Sequence, residues 1–404
     1  MALNKLNLSL SLYLLFSFFA IAQNNANFNP NDTITYNDIN SEKVVALGNL
    51  IESSVLNNQS EPFVGKLYKN ALLKRILQNN TTPDLNSDYL KSFVKGIKQG
   101  LDLFPQEIIT EVENGAYYDF VNYRYDQNLQ TYYILFRLYS AEGGLNYHDY
   151  RIHKKDSEML ISDIYLYLAG ENITTTMSRL MTYVAPNKKI LGLIETTKDE
   201  GVTELFQAIQ YKKSGNFELA YKLMDGITSK LSKEKFFLIF KSLMASNVDD
   251  EKYLATLEEL IETYKDDPTI VLNKIDYYVY KEDYFEAIQV INQLQEETED
   301  DFLNFIKANV AFYDENYDFA LNNYKYIIDN YPDFFEGQAG YLSTLVMMES
   351  FKDATTYIET LISEGYDRAD IINYVEEDDD NGENILEVLV QSEPYKAWKR
   401  KTSN

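Results

Sequence analysis

The sequence contains no cysteine, which removes disulfides, thiolate metal sites and cysteine nucleophiles together. Two histidines in 404 residues are too few for a His-rich metal centre or a battery of imidazole catalysts. Basic charge is in deficit: 37 Lys and Arg face 63 Asp and Glu, a net charge of -26. Nucleic-acid affinity rests on cationic contacts to phosphate, so this balance argues against a nucleic-acid partner. No P-loop, G-x-G-x-x-G, G-x-S-x-G or H-E-x-x-H pattern occurs. Beyond residue 22 no run approaches the length of a membrane span, so no integral segment is expected in the mature chain. Hydrophobic residues make up 45% of the chain and charged residues 25%, enough to bury real cores. The length suggests two to three domains.

Residues 1–22 read as an export signal. Lys5 supplies a positive start, Leu6 to Ile21 is mostly apolar, and Ala20-Ile21-Ala22 offers small residues before a cut at Gln23. A periplasmic or secreted product is expected. The Asn-rich stretch 23–40 reads as a disordered leader. Acidity then divides the chain. From residue 201 onward 41 acidic side chains face 19 basic ones, whereas residues 1–200 carry 22 and 18. The boundary places a linker at Thr196–Gly201, with an α+β domain over 41–198.

The second half repeats. Phe217-Glu-Leu-Ala220, Tyr253-Leu-Ala255, Tyr284-Phe-Glu-Ala287, Tyr317-Asp-Phe-Ala320 and Phe351-Lys-Asp-Ala354 share a small residue opening a helical apolar pattern. Successive alanines are 35, 32, 33 and 34 residues apart. Tyr211 and Tyr278 stand nine residues before Ala220 and Ala287, Gly215 occupies a turn, and Pro332 follows Ala320 by twelve. On these residues the stretch 199–365 resembles the tetratricopeptide repeat, a helical hairpin of about 34 residues. The resemblance implies an all-α solenoid of about five units, because one hairpin cannot bury its apolar face alone. It also implies a partner-binding groove on the first helix of each unit, at Asn273, Asp276, Tyr280, Asn309, Tyr313 and Ser343. The family's carboxylate clamp is missing, since the matching positions are Val202, Leu205, Phe206 and Ile209. With the repeats strongly acidic, a basic or neutral protein segment is the expected partner. Residues 366–404 form an acidic loop and a closing amphipathic helix broken at Pro394.

In the first half, residues 41–103 show helical spacing with breaks at Glu61-Pro62 and Thr82-Pro83. From 115 the period becomes two. Tyr117–Tyr125, Thr131–Ser140, Leu145–His153 and Met159–Leu168 predict a four-stranded antiparallel meander. Ile134, Phe136, Leu138, Leu160, Ile164, Leu166 and Leu168 are assigned to the helix-covered face. Asp119, Tyr123, Arg137, Tyr139, Asp163, Tyr165 and Tyr167 are assigned to the other. In element order this resembles the nuclear-transport-factor-2-like cone, which would imply a pocket. Asp119, Tyr123, Arg137, Asp163 and Tyr165 are then the candidate ligand residues of a small-ligand binder or a cryptic enzyme, as an alternative to the repeat groove.

Other motifs fail on inspection. Ser92-Phe-Val-Lys95 matches S-x-x-K, but its companion motifs are missing. An EF-hand reading of Glu377 to Val388 puts valine where a bidentate glutamate belongs. His148 and His153 fall on opposite faces of one strand, so no shared metal site is expected. The expected function is that of a non-catalytic interaction scaffold, without cofactor or metal.

Overall fold

The computed structural model describes residues 33–78, 88–141, 143–184, 201–378 and 384–402. The export signal, the Thr82-Pro83 break, the linker up to residue 200 and the centre of the acidic loop fall outside the described residues. The chain divides into two compact units within one helix: the first runs to Lys274, the second begins at Ile275. No described helix is long and apolar enough to cross a membrane.

Four helices open the first unit: α1 (Asp38–Leu56), α2 (Ser60–Val64), α3 (Lys69–Gln78) and α4 (Asp88–Glu113). The Asn37 side chain caps α1 by accepting from the Asn40 N–H at 2.9 Å. Within residues 33–40, assigned to a disordered leader, Ile34 and Asn40 are anchored by burial and α1 has already begun. Ile34 is buried, its N–H donates to the Gln130 carbonyl at 2.8 Å, and its carbonyl accepts from the Tyr125 hydroxyl at 2.9 Å. Pro62 does not break a helix. It sits in the first turn of α2, where a missing N–H costs nothing.

The sheet has five strands, not four. β1 (Tyr117–Asp126), β2 (Thr131–Ser140), β3 (Gly144–Lys155), β4 (Glu158–Leu166) and β5 (Glu171–Asn172) form an antiparallel meander in chain order. β5 is two residues long and carries no period that a sequence could show. It returns through a turn ending at Gly170, whose φ of +60° is left-handed and where a Cβ would lie 2.5 Å from the Thr269 carbonyl oxygen. Helix α5 (Ile173–Val184) follows.

Two bulges alter which side chains share a face. An extra residue between Phe120 and Asn122 pairs Tyr123 with Ile134, so Tyr123 joins the helix-covered face rather than the Arg137 face. A second, opposite Arg151 and Ile152, pairs Leu160 with His153 and removes it from the face carrying Ile164. Phe63 of α2 meets Tyr150 at 5.8 Å, Phe104 of α4 meets His148 at 5.5 Å, and Gly48 of α1 lets the Phe120 ring approach its backbone.

The helices after residue 201 are not separate from this sheet. They are α6 (Val202–Lys213), α7 (Phe217–Asp225), α8 (Lys235–Ser246) and α9 (Asp250–Thr263). The buried Lys235 ammonium donates to the Gly170 carbonyl at 2.8 Å, to Asp267 at 2.9 Å and to the Thr269 hydroxyl at 2.7 Å. Arg179 of α5 pairs with Glu171 at 2.9 Å, and Tyr183 donates to Glu234 at 2.5 Å. These bonds carry the first unit past the charge boundary at 201.

The later helices are α10 (Val271–Tyr280), α11 (Tyr284–Thr298), α12 (Leu303–Tyr313), α13 (Tyr317–Asn330), α14 (Phe335–Met347) and α15 (Phe351–Glu364). Helices α7, α9, α11, α13 and α15 begin after Asn216, Asp249, Asp283, Asn316 and Ser350, caps spaced 33 or 34 residues apart. The first four caps accept from the backbone N–H three residues on. Four residues after each cap stand Ala220, Tyr253, Ala287, Ala320 and Ala354, all buried. Ala255 is exposed, so the second unit carries Tyr253 where alanine was expected. The residue before the cap is left-handed at Gly215, Glu282, Glu315 and Glu349, with φ of +73°, +57°, +55° and +54°.

In the second unit α13 approaches α14 closely. A Cβ on Gly340 would lie 2.3 Å from the Tyr324 ring, and one on Gly337 2.5 Å from Ile327. Helices α16 (Arg368–Glu376), α17 (Glu387–Gln391) and α18 (Glu393–Thr402) end the chain. The closing helix breaks at Ser392 rather than Pro394, because proline suits the first turn of α18. Trp398 and Tyr395 bury against Ile358 and Leu361, and the Trp398 indole N–H donates to Glu359 at 2.7 Å.

Two stability changes of opposite sign follow. Lys235→Met strips the Gly170 carbonyl and Asp267 of their shared donor, and urea unfolding should show a loss of roughly 3 kcal/mol. Glu315→Gly relieves a left-handed side-chain residue and should stabilise the protein by about 0.5–1 kcal/mol, read as a higher urea midpoint. A lowered midpoint would show that the Glu315 side chain contributes more than its backbone strain costs.

Candidate functional site

The sheet face opposite α1, α2 and α4 carries three cross-strand rows. Asp119, Arg137 and Tyr147 form one; Asn122, Leu135, Asp149 and Tyr165 form the next; Arg124, Tyr133, Arg151 and Asp163 form the third. Arg137 is buried and donates to Asp119 at 2.6 Å. Tyr165 is half-buried, with its ring 5.1 Å from that of Tyr167. Asp163 is buried two rows from Arg137, accepting from the Thr174 hydroxyl at 2.7 Å and from the Ile164 N–H at 2.9 Å. Burial pushes its carboxyl up, against the pull of the Thr174 bond and of Arg75. The structure therefore does not bring Arg137 and Asp163 together, and Tyr123 lies on the other face.

The row that the sequence reading missed is the third. Arg124 stacks 4.5 Å over the Tyr133 ring and donates to Asp149 at 2.6 Å, while Arg151 donates to the Tyr133 hydroxyl at 3.3 Å. Strand alternation alone would have put Arg151, Tyr133 and Arg137 on one face. Arg124 needed knowledge of the first bulge.

The residues assigned to the repeat groove fall in both units. Asn273 belongs to the first; Asp276, Tyr280, Asn309, Tyr313 and Ser343 belong to the second. Asp276, Asn309 and Ser343 occupy one repeating position, at intervals of 33 and 34. They face inward more than a groove lining would. Asn273, Asp276 and Ser343 are buried, and Asn309 accepts from the Tyr324 hydroxyl of α13 at 2.5 Å. Burial pushes the Tyr374 hydroxyl of α16 up, with nearby Ser343 pulling it back. Tyr280 and Tyr313, also one repeat apart, are only half-buried. Burial pushes the Tyr313 hydroxyl up, with Tyr284 adding to the shift, so it remains a neutral donor.

A separate polar cluster lies in the core beneath α4. The Tyr118 and Tyr150 hydroxyls are 2.6 Å apart, and both approach His148 Nδ1, at 3.3 and 3.5 Å. Burial raises both hydroxyls and drives the imidazole down to about 3. His148 is therefore neutral in the core. Among the described residues no group of three or more His, Asp or Glu side chains is arranged to hold a metal ion.

A histidine that is neutral when folded takes a proton more readily when unfolded, so stability falls as pH drops from about 6.5 towards 3. Between pH 7.5 and 4.5 the His148 contribution should cost roughly 2–3 kcal/mol. His148→Phe removes it, and the variant's denaturant midpoints should decline less over that range than those of the parent. Parallel declines would place the acid sensitivity elsewhere.

Comparison with known proteins finds no matching family model, no matching curated protein and no matching solved structure.

Proposed function

We propose that this protein is an exported, non-catalytic scaffold whose tetratricopeptide-like hairpins offer an acidic surface to a basic or neutral segment of a partner protein. The observation that carries this reading is the recurrence of one turn at intervals of 33 or 34 residues: an Asn, Asp or Ser cap, an aromatic residue after it at four of the five caps, and a buried residue four positions on. A repeated unit of this kind offers neighbouring, similar faces to an elongated ligand. Charge supports the polarity of the partner, since 41 acidic and 19 basic side chains follow residue 200. In the second unit Tyr280, Asn309 and Tyr313 are the half-buried members of the groove set, and tyrosine combines contact area with a hydrogen bond.

The reading predicts salt-sensitive binding that depends on two features. A partner isolated on the full chain at low salt should lose at least tenfold in affinity when Glu282, Glu315 and Glu349 are together replaced by lysine. Tyr280→Ala with Tyr313→Ala should weaken it by a similar factor without altering its salt dependence. Surface-plasmon titrations at 50 and 500 mM salt check both. A partner that binds all forms equally would remove the repeats from the binding event.

A further inference from the structure

The sheet of the first unit has an open edge at β1. This strand pairs with β2 on one side only, so alternate residues turn their N–H and C=O groups away from the sheet. Near its start that edge is already covered, because the Glu52 side chain of α1 accepts from the Phe120 N–H at 2.7 Å. Past the first bulge the cover ends. Among the described residues, the backbone of Tyr123–Asp126 bonds to nothing outside β2. Helix α1 runs beside this stretch. Asp38, Ser41, Glu42, Val45 and Asn49 recur on one side of it and, with Tyr123, line a groove of about 480 Å³.

The groove is aromatic and acidic, and no basic side chain lines it. The Tyr123 ring lies 6.3 Å from Tyr132, and Tyr36, which is 63% exposed, meets Tyr125 at 5.1 Å and Tyr132 at 6.1 Å. The Ser41 and Tyr132 hydroxyls are 3.1 Å apart and tie these rings to the helix. Asp38 and Glu42, one helical turn apart, are exposed, and among the described residues neither carboxylate has an ion-pair partner. Carboxylates beside tyrosine rings suit an ammonium or guanidinium group. An extended chain laid along β1 would give its backbone to the open edge and alternate side chains to the groove. We propose that β1 beside α1 takes an extended basic segment of a partner protein as an added strand, its Lys or Arg side chains held by Asp38, Glu42 and Tyr123. A second copy of this chain, with a net charge of -26, has the wrong sign for that place. The site lies in the first unit and does not rest on the reading of the repeats.

The test uses the full chain and a capped, fluorescein-labelled peptide of about eight residues alternating lysine and threonine. Binding is followed by anisotropy at about 150 mM salt, where loose attraction to the acidic surface is screened. Amide hydrogen exchange locates it. The parent should bind the peptide, and the outward amides of Tyr123–Asp126 should gain about tenfold protection. Glu42→Lys with Asp38→Asn should weaken binding about tenfold or more. Both side chains are exposed, so the variant should fold, and an unchanged urea midpoint checks this. Two peptides N-methylated at alternate residues, one in each register, keep the charge, and one of them should lose binding and protection together. Equal binding of all three peptides would overturn the added strand. No binding, binding to the variant at parental strength, or protection confined to residues after 201 would overturn the site. Protection of β1 that rises with protein concentration in the absence of peptide would assign the edge to a second copy instead, and would also overturn it.

Discussion

The turn that starts every second helix of the later chain sets the position of everything packed around it. At four of the five turns the cap side chain accepts from the backbone three residues on, and at four the residue before the cap is left-handed. Once Asn216, Asp283 or Asn316 is in place, the helix phase is set, and the residue four positions later faces the partner helix. The slot there is small, which is why alanine fills it in four of five cases. Tyr253 shows that the cap outranks the alanine. Where Asp249 caps α9, the chain keeps the phase and accepts a tyrosine in the slot. Val248 precedes that cap and is not left-handed, in keeping with the penalty for a β-branched residue there.

The same spacing runs through charge as well as packing. Lys241, Lys274 and Lys307 stand 33 residues apart on α8, α10 and α12. Lys241 pairs with Asp225 at 2.9 Å and Glu259 at 3.1 Å, and Lys274 donates to the Asp267 carbonyl at 3.3 Å. Lys307 donates to Gln295 at 2.6 Å and to Asn292 at 3.3 Å. Each reaches the helix before its own, or the turn leaving it. A chain with so few cations places three of them at one recurring position. Burial holds the Lys307 ammonium below its ordinary range, whereas at Lys241 burial is outweighed by the bonds to Asp225 and Glu259, which hold it above.

Much of this was legible before any coordinates. Strand β2 matches its expected limits, the meander order is as read from the polar turns, and the repeat period was visible in the alanines. What escaped has common physical causes. A two-residue strand has no period. A bulge reverses facing without leaving a mark in composition, which is why Tyr123 and Leu160 were placed on the wrong faces. Alanine is a weaker marker than its cap, because several small or flat residues can fill one slot whereas few side chains can accept a backbone N–H at a helix start. The groove residues follow from the resemblance to the repeat family, and a position in a repeat does not report depth: Asp276 and Ser343 recur at the repeat interval but are buried.

That depth bears on where binding energy could arise. A residue such as Asn309, committed to Tyr324, can contribute to a partner only by giving up a bond already made. Tyr280 and Tyr313 are half-buried, and their rings bring area with few torsions to freeze. On the sheet face, by contrast, Arg124 is already committed to Asp149 and stacked on Tyr133, so its donors too are engaged within the fold.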